Sequence, residues 1–315
     1  MPLLSVEDLH VRHQVPGGEL RAVDGVTLAV DAGETVGLVG ESGCGKSSFG
    51  KAILHLLPVA DGTIRFGGAD ITYLTGHAPQ PFRRRIQMVF QDPYASLNPR
   101  QTMFDALARP LLVHGVRTRA ARRRSVEALI QTVSLSPEML ARYPNEFSVG
   151  QRQRIAIARA LVLQPELLVL DEPVSALDVS VQAQILNLLM DLKHDRGLAY
   201  VFISHDLSVV RYVADRIYVM YLGRIVEVAD QHSLWSSPHH HYTRALIDAV
   251  PKRRPQPRCS ETPDAIGSSA SAVTPPSGCR FHPRCRAATE LCRTTVPLLE
   301  SVSATQQVAC HHPLS

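Results

Sequence analysis

The segment GESGCGKS (Gly40–Ser47) has the residue types and spacing of a phosphate-binding loop. It matches the pattern G-x-x-x-x-G-K-[ST] and lies between a short apolar strand and a helical pattern, which is the context this motif requires. The glycines let backbone N–H groups converge on phosphate oxygens, and the helix N-terminus adds the positive end of its dipole. We expect Lys46 to reach the β- and γ-phosphates and the Ser47 hydroxyl to bind Mg²⁺. The alternative is a glycine-rich turn that only links a strand to a helix.

The candidate nucleotide-binding residues of this loop are Gly40, Glu41, Ser42, Gly43, Cys44, Gly45, Lys46, Ser47 and Ser48. We interpret Cys44 as a loop residue and not as a nucleophile.

A second candidate lies at Leu167–Glu172, where a buried apolar run ends in two acids. Ligands bind at the carboxyl ends of strands in open α/β sheets, so Asp171 is placed to hold Mg²⁺ through water. Glu172 points elsewhere and can orient or deprotonate an attacking water. Taken alone, a strand ending in Asp-Glu is as often structural, but the upstream loop favours a role in nucleotide chemistry.

Several regions must position these groups. Val26, Leu28 and Val30 alternate with smaller or polar neighbours, which predicts strands before residue 31. Helical spacing predicts a helix from about Phe49 to Leu57, and further strands and helices alternate as far as Ser204. This order indicates an α/β protein with a mainly parallel sheet, an antiparallel β subdomain and a helical subdomain at about 95–165.

Composition sets broad limits on this chain of 315 residues. Its net charge of +4 is too weak to indicate nucleic-acid binding by itself. No run of about 18 apolar residues occurs, and the N-terminus lacks the basic region of a secretory signal, so we expect a cytosolic protein. Thiols stay reduced there, so clustered cysteines are more often metal ligands than disulfides.

Four of the six cysteines are clustered at the C-terminus. The Pro-, Ser- and Thr-rich stretch 251–278 is typical of a linker, and a tail of residues 279–315 follows it. Four thiolates suit an iron–sulfur cluster or zinc, although no C-x-x-C pair is present. His282, His311 and His312 are possible further ligands, whereas the run His239–His241 is interpreted as structural. The tail cysteines are Cys279, Cys285, Cys292 and Cys310.

At this point the sequence resembles the ATP-binding cassette (ABC) ATPases, a P-loop family, over residues 3 to about 250. The phosphate loop and the Asp171-Glu172 strand are similar, and three further motifs follow in the family's order. The resemblance implies that Gln91 senses Mg²⁺ and water beside a membrane subunit, and that Asp178 belongs to the D-loop. It also implies that His205 is the switch histidine on the γ-phosphate, and that His13 lies where an aromatic usually stacks on adenine. His13 as a plain surface residue is the alternative.

The segment FSVGQ (Phe147–Gln151) resembles the family signature Leu/Phe-Ser-Gly-Gly-Gln. In these ATPases the signature of one subunit covers the ATP held by its partner. Ser148 as N-cap, with the N–H of Gly150 and with Gln151, favours an anion site at a helix start. Val149 replaces a glycine. It costs little if the backbone there is helical, and it weakens the site shared with the partner if a glycine-only angle is needed.

The tail resembles the C-terminal extension of the peptide-importer branch, whose members carry a [4Fe–4S] cluster. That resemblance implies an ABC ATPase domain at 1–250, the linker 251–278 and a cluster-binding tail at 279–315. It further implies an ATP-hydrolysing subunit of a dipeptide or oligopeptide importer, peripheral at the cytoplasmic face of the inner membrane. The implied partners are a second, non-identical ATPase subunit, two membrane-spanning permease subunits and, indirectly, an extracytoplasmic solute-binding protein.

Three alternatives remain. ATPases for nickel or glutathione import look alike, and a degenerate site could bind ATP without hydrolysing it. A DNA-repair ATPase shares the same head but needs a long coiled coil, and 171 − 46 = 125 residues between the nucleotide motifs leave no room for one. We expect no nucleic-acid partner, and we interpret the arginines at 83–85 and 117–124 as solvated faces or as attraction to anionic lipid.

Overall fold

The computed structural model describes residues 1–16, 18–74, 80–92, 94, 97–250 and 275–315. The chain divides into two compact units. The first comprises residues 1–3, 30–34 and 74–203, and the second comprises residues 4–29, 35–73 and 204–315. Most of the predicted linker, residues 251–274 with Cys259, lies outside the described residues.

The second unit contains an antiparallel sheet in which β1 pairs with β4. Along β2 the side chains of Val26, Leu28 and Val30 are buried and the intervening ones are more exposed. This alternation confirms the predicted period of two and the antiparallel β subdomain. The strands of this sheet, in spatial order, are β2 (Gly18–Val30), β1 (Leu4–Val15), β4 (Asp61–Phe66) and β5 (Ala69–Asp70).

Among its described residues, the same unit carries five more strands and five α-helices. The strands are β3 (Thr35–Val39), β9 (Arg216–Tyr221), β10 (Arg224–Asp230), β11 (Glu300–Ser301) and β12 (Gln306–Val308). The helices are α1 (Lys46–Ile53), α7 (Leu207–Val213), α8 (Gln231–Ser236), α9 (His241–Asp248) and α10 (Glu290–Thr294). Strand β3 runs parallel to β9, whereas β10 is antiparallel to both β9 and β12. The tail therefore adds strand β12 beside β10.

Among the residues that are described, the first unit contains three parallel strands, in the spatial order β6 (Ile86–Val89), β7 (Leu167–Asp171) and β8 (Ala199–Ser204). Every residue of β7 and β8 is buried, as expected for parallel strands that are covered on both faces. The helices of this unit are α2 (Gln80–Arg85), α3 (Met103–Val113), α4 (Arg119–Thr132), α5 (Val149–Leu161) and α6 (Val179–Arg196).

The α/β class and the helical region were predicted correctly, but helix α1 is shorter than its apolar pattern. It ends at Ile53, and His55 has a φ of +55°, so the chain turns before Leu57. A left-handed residue cannot continue a right-handed helix. Across the described ranges no helix combines the length and the apolar character needed to cross a membrane.

Candidate functional site

The phosphate loop (Gly40–Ser47) depends on glycine geometry at two positions. Gly40 and Gly45 have φ values of +154° and +111°, which other residues rarely adopt. A Cβ on Gly40 would overlap the carbonyl oxygen of Met220, and a Cβ on Gly45 would overlap that of Ala22. The backbone can therefore follow this path only with the glycines that the motif supplies.

Lys46 begins α1 and is 4 % exposed. Its Nζ donates to the carbonyl oxygens of Gly40 and Glu41 at 2.7 and 2.9 Å, so the lysine is already folded over the loop. Cys44 is buried beside it, and burial raises the pKa of its thiol. A neutral, enclosed thiol supports the interpretation of Cys44 as a loop residue.

Three other predicted ATP-binding residues of the second unit lie around the start of α1. Ser47 and Ser48 are half-buried in its first turn. His13, also half-buried, has its Nε2 3.3 Å from the Ser48 hydroxyl oxygen. His13 therefore contacts the first turn after the phosphate loop.

The predicted catalytic residues of the first unit meet at the carboxyl ends of adjacent strands. Asp171 is the last residue of β7 and is 3 % exposed. Gln91 follows β6 by two residues, and its Nε2 donates to Glu172 Oε2 at 2.9 Å. The parallel pairing of β6 with β7 brings the Gln91 and Glu172 side chains together.

Glu172 has a strained backbone that the sequence pattern did not predict. Its φ is +47°, and its N–H donates to the carbonyl oxygen of Ile203 at 3.0 Å. Such a conformation costs on the order of 1–3 kcal/mol for a residue with a side chain and is concentrated at functional sites. His205, predicted as the switch residue, follows the last residue of β8 and is exposed.

The signature segment (Phe147–Gln151) is a capped helix start. The Ser148 hydroxyl accepts from the Gln151 N–H at 3.3 Å, and the Gln151 side chain accepts from the Ser148 N–H at 3.1 Å. This reciprocal arrangement is a capping box. Gly150 lies in the first turn of α5, where a Cβ would come 2.6 Å from Val181 Cγ1.

Val149 is the first residue of α5, and its φ is not positive. The helical condition, under which valine costs little, is therefore met. Its side chain is 46 % exposed. Asp178 caps α6, accepting from the N–H groups of Ser180 and Val181 at 3.1 and 2.9 Å, and these bonds lower the pKa of its carboxyl.

Replacing Val149 with Gly is expected to change ATPase activity by less than about twofold. No glycine-only angle is used there, so the substitution releases no backbone strain. Glycine near a helix start instead lowers the free energy of unfolding by up to about 1 kcal/mol. Steady-state phosphate release measures the ATPase activity, and denaturant unfolding measures the free energy of unfolding. A severalfold rise in activity would mean that the valine side chain itself obstructs the site.

The arginine clusters make contacts within the first unit. The Arg119 and Arg123 guanidinium carbons lie 5.4 and 5.8 Å from the Phe104 ring centroid. Arg85 forms a two-bond pair with Glu166 at 2.5 and 2.8 Å. These three arginines therefore make local contacts within the first unit.

The four tail cysteines line one small cavity in the second unit, together with His240 and Phe281. Cys279 and Cys292 are buried and Cys285 and Cys310 are half-buried, and none forms a disulfide with another described cysteine. Burial raises the pKa of Cys310 to about 11. His240 is also buried, and its Nε2 has no hydrogen-bond partner among the described residues.

The histidines predicted as further ligands use ring nitrogens elsewhere. His282 Nδ1 donates to the Cys279 carbonyl oxygen, and His311 Nε2 donates to that of Thr295, both at 2.9 Å. His312 Nε2 lies 2.9 Å from the Thr289 hydroxyl oxygen. Within the part of the chain that the structure describes, no three His, Cys, Asp or Glu side chains are grouped so as to hold a metal ion.

Sequence analysis did not predict that two residues, Tyr242 and Arg284, contact the phosphate loop. The Tyr242 hydroxyl oxygen accepts from the Glu41 N–H at 2.8 Å. The Arg284 guanidinium donates to both carboxylate oxygens of Glu41 at 2.9 Å. Both partners are about 200 residues or more away in the chain. No local motif signals contacts of this kind.

Comparisons with known proteins follow the same division of the chain. Residues 23–175 match the ABC transporter family, and residues 226–292 match the family "Oligopeptide/dipeptide transporter, C-terminal region". The chain is 47% identical to the di/tripeptide transport ATP-binding protein DppF of Pseudomonas aeruginosa, covering 98% of this chain and 97% of that protein. It is 47% identical to the oligopeptide transport ATP-binding protein AppF of Bacillus subtilis, covering 93% and 90%.

A solved structure, the dimer of the bacterial ABC transporter cassette MJ0796, superposes with a TM-score of 0.66. It is 27% identical and covers 72% of this chain and 98% of its own. The fold and the near full-length relatives lead to one conclusion. The chain belongs to the ABC transporter family, as an ATP-hydrolysing subunit that carries the C-terminal region of the oligopeptide/dipeptide branch.

Proposed function

We propose that this chain powers an importer for dipeptides or oligopeptides. The observation that carries the proposal is its 47% identity, over nearly its whole length, to ATP-binding proteins of di/tripeptide and oligopeptide transport. The match of residues 226–292 to the C-terminal region of the same transporters supports it independently of the ATPase motifs.

In this proposal the phosphate loop holds the triphosphate of ATP. Its backbone N–H groups and the α1 N-terminus face phosphate oxygens, and Lys46 shifts from the Gly40 and Glu41 carbonyl oxygens to the β- and γ-phosphates. Ser47, Gln91 and Asp171 would hold Mg²⁺, and the ion would supply positive charge beside the phosphoryl group. The half-buried His13 packs on the adenine. The site also includes Glu41, Ser42, Gly43, Cys44, Gly45 and Ser48.

Glu172 is the proposed general base. It takes a proton from the attacking water as the water oxygen bonds to the γ-phosphorus, and the bond to the β–γ bridging oxygen breaks. The Gln91 hydrogen bond and the positive φ of Glu172 support this role, because both hold the carboxylate in one direction. His205 donates to a γ-phosphate oxygen in this scheme.

The proposed working unit is a heterodimer with a second, non-identical ATPase subunit. Ser148, Val149, Gly150 and Gln151 face the ATP held by the partner, and Asp178 lies in the D-loop between the two sites. The exposure of Val149 at a capped helix start supports this placement. ATP closes the dimer, hydrolysis reopens it, and the Gln91 region passes this motion to two permease subunits at the cytoplasmic face of the membrane. An extracytoplasmic binding protein delivers the solute.

We further propose three segments: an ATPase domain at 1–250 with its helical subdomain at about 95–165, a linker at 251–278, and a cofactor-binding tail at 279–315. The four cysteines are the proposed ligands of a [4Fe–4S] cluster, because all four line one cavity and thiolates are the usual ligands of such clusters. Among the described residues the side chains are not yet grouped closely enough to hold a metal ion, so the cysteines would have to converge on the cluster when it binds. The unpartnered Nε2 of the buried His240, which lines the same cavity, supports a bound group there. Zinc is the alternative occupant.

The solute is tested with the complete complex in proteoliposomes. Binding protein loaded with a dipeptide or an oligopeptide is expected to raise ATP hydrolysis severalfold, whereas nickel and glutathione are expected to leave it at the basal rate. Stimulation by nickel or by glutathione alone would assign the chain to one of those importers. Nucleotide binding without hydrolysis under every condition would indicate a degenerate site.

A further inference from the structure

The phosphate loop contains an acidic residue, Glu41, directly after its first glycine. ATP brings several negative charges to this loop, so a free carboxylate here would oppose binding through Coulomb repulsion. Glu41 is not free, because Arg284 of the tail donates to Oε1 and Oε2 at 2.9 Å each. This two-bond arrangement fixes the direction of the carboxylate as well as its charge.

Arg284 is itself held by aromatic rings. Its guanidinium carbon lies 5.8 Å from the Tyr221 ring centroid and 5.6 Å from that of Phe281. Those two rings meet edge to face at 5.3 Å, and Tyr242 packs on Tyr221 at 4.6 Å. Tyr242 also accepts from the Glu41 N–H, so the same cluster contacts both the backbone and the side chain of Glu41.

The tail segment that carries Arg284 is anchored by a buried ion pair. Arg280 is 8 % exposed, and it donates to Asp24, which is 5 % exposed, and to the Leu222 carbonyl oxygen. Arg224 reaches the same Asp24 carboxylate at 3.0 Å. A buried pair of this kind holds its segment in a defined place, because breaking it leaves an uncompensated charge.

We propose that Arg284 is a positioning residue of the phosphate loop, which neutralises Glu41 and holds its carboxylate in one direction so that the loop can accept a triphosphate. This inference rests on the proposed assignment of Gly40–Ser47 as the ATP site. It gives the C-terminal tail a part in nucleotide affinity, separate from any cofactor that the cysteines hold.

The test is the affinity of the purified full-length chain for Mg-ATP, measured by displacement of a fluorescent nucleotide. Replacing Arg284 with Ala is expected to weaken binding about three- to tenfold, a modest effect because the pair is partly exposed. The double variant R284A/E41Q is expected to regain most of the affinity that R284A loses, since no charge is then left to neutralise. Arg284→Lys, which keeps the charge but loses the planar fork, is expected to lie between.

Two properties separate this role from a merely structural one. The loss caused by R284A should shrink as salt rises, because salt screens the repulsion between Glu41 and the phosphates. Adding E41Q to R284A should restore affinity for Mg-ATP, although the contact between residues 284 and 41 stays lost. A double variant as weak as R284A, or an unchanged affinity in R284A, would overturn the inference.

Matched controls keep the outcomes distinct. Arg293 forms an exposed pair with Glu290 in the same tail, and R293A is expected to bind like the wild type. K46A tests the site itself: if it binds ATP normally, the proposed ATP site is wrong. If K46A weakens binding and R284A does not, only the role of Arg284 fails. Thermal unfolding identifies any variant that does not fold, and R284K then supplies the comparison.

Discussion

Replacing Glu172 with Gln is expected to lower ATP hydrolysis by at least about 100-fold while ATP still binds. The amide keeps the size of the side chain and can still contact Gln91, but it cannot accept a proton from water. The proposed heterodimer would also contain the partner's site, so the measurement uses a background in which the corresponding glutamate of that subunit is already replaced. Phosphate release then reports only the site built on Lys46.

The matched control for E172Q is Glu166→Gln, just before the opposite end of the same strand. Glu166 pairs with Arg85 and lies away from the proposed catalytic residues. E166Q should therefore hydrolyse ATP at nearly the wild-type rate. Equal activities of E172Q and wild type would show that Glu172 is not the base. A fluorescent-nucleotide titration verifies that E172Q still binds Mg-ATP.

Replacing both Cys279 and Cys292 with Ser is expected to abolish binding of the proposed tail cofactor. These are the two buried cysteines of the cavity, so the loss of both leaves at most two thiolates. Anaerobically purified wild type should contain iron and acid-labile sulfide in equal amounts and show broad visible absorption. The double variant should lack all three signals and unfold at a lower temperature, because so short a tail gains much of its stability from its cofactor.

Elemental analysis separates the outcomes of this experiment. If the wild type contains zinc and has neither colour nor sulfide, the bound group is zinc and not an iron–sulfur cluster. If the wild type contains neither iron nor zinc, the proposed cofactor is wrong. Cys259→Ser is the control, because Cys259 precedes the proposed cofactor-binding tail at 279–315 in the sequence. It should leave the metal content unchanged.

The parts of the site that sequence predicted are those set by local chemistry. The glycines at 40 and 45 are required by their positive φ angles, a local property that a local motif records. The Ser148–Gln151 capping box also lies within four residues, and the short apolar runs of β7 and β8 show their burial directly. In each case the physical cause lies within a few residues of the motif.

The parts that sequence did not predict depend on distant segments. Arg284 and Glu41 are 243 residues apart, and their pairing requires the complete fold of the second unit. The positive φ of Glu172 could not be predicted from its residue type, because glutamate rarely adopts such an angle. The end of α1 at Ile53 was missed because Leu56 and Leu57 continue the apolar spacing after the chain has turned.

The central claim is that hydrolysis at this chain's own site drives peptide import. The most direct measurement is ATP-dependent accumulation of a labelled peptide inside proteoliposomes that contain the complete complex. Wild type should accumulate the peptide when ATP is on the side of this subunit, and the complex with E172Q should accumulate none. Equal accumulation by the two complexes, or none by wild type while another solute enters, would contradict the claim.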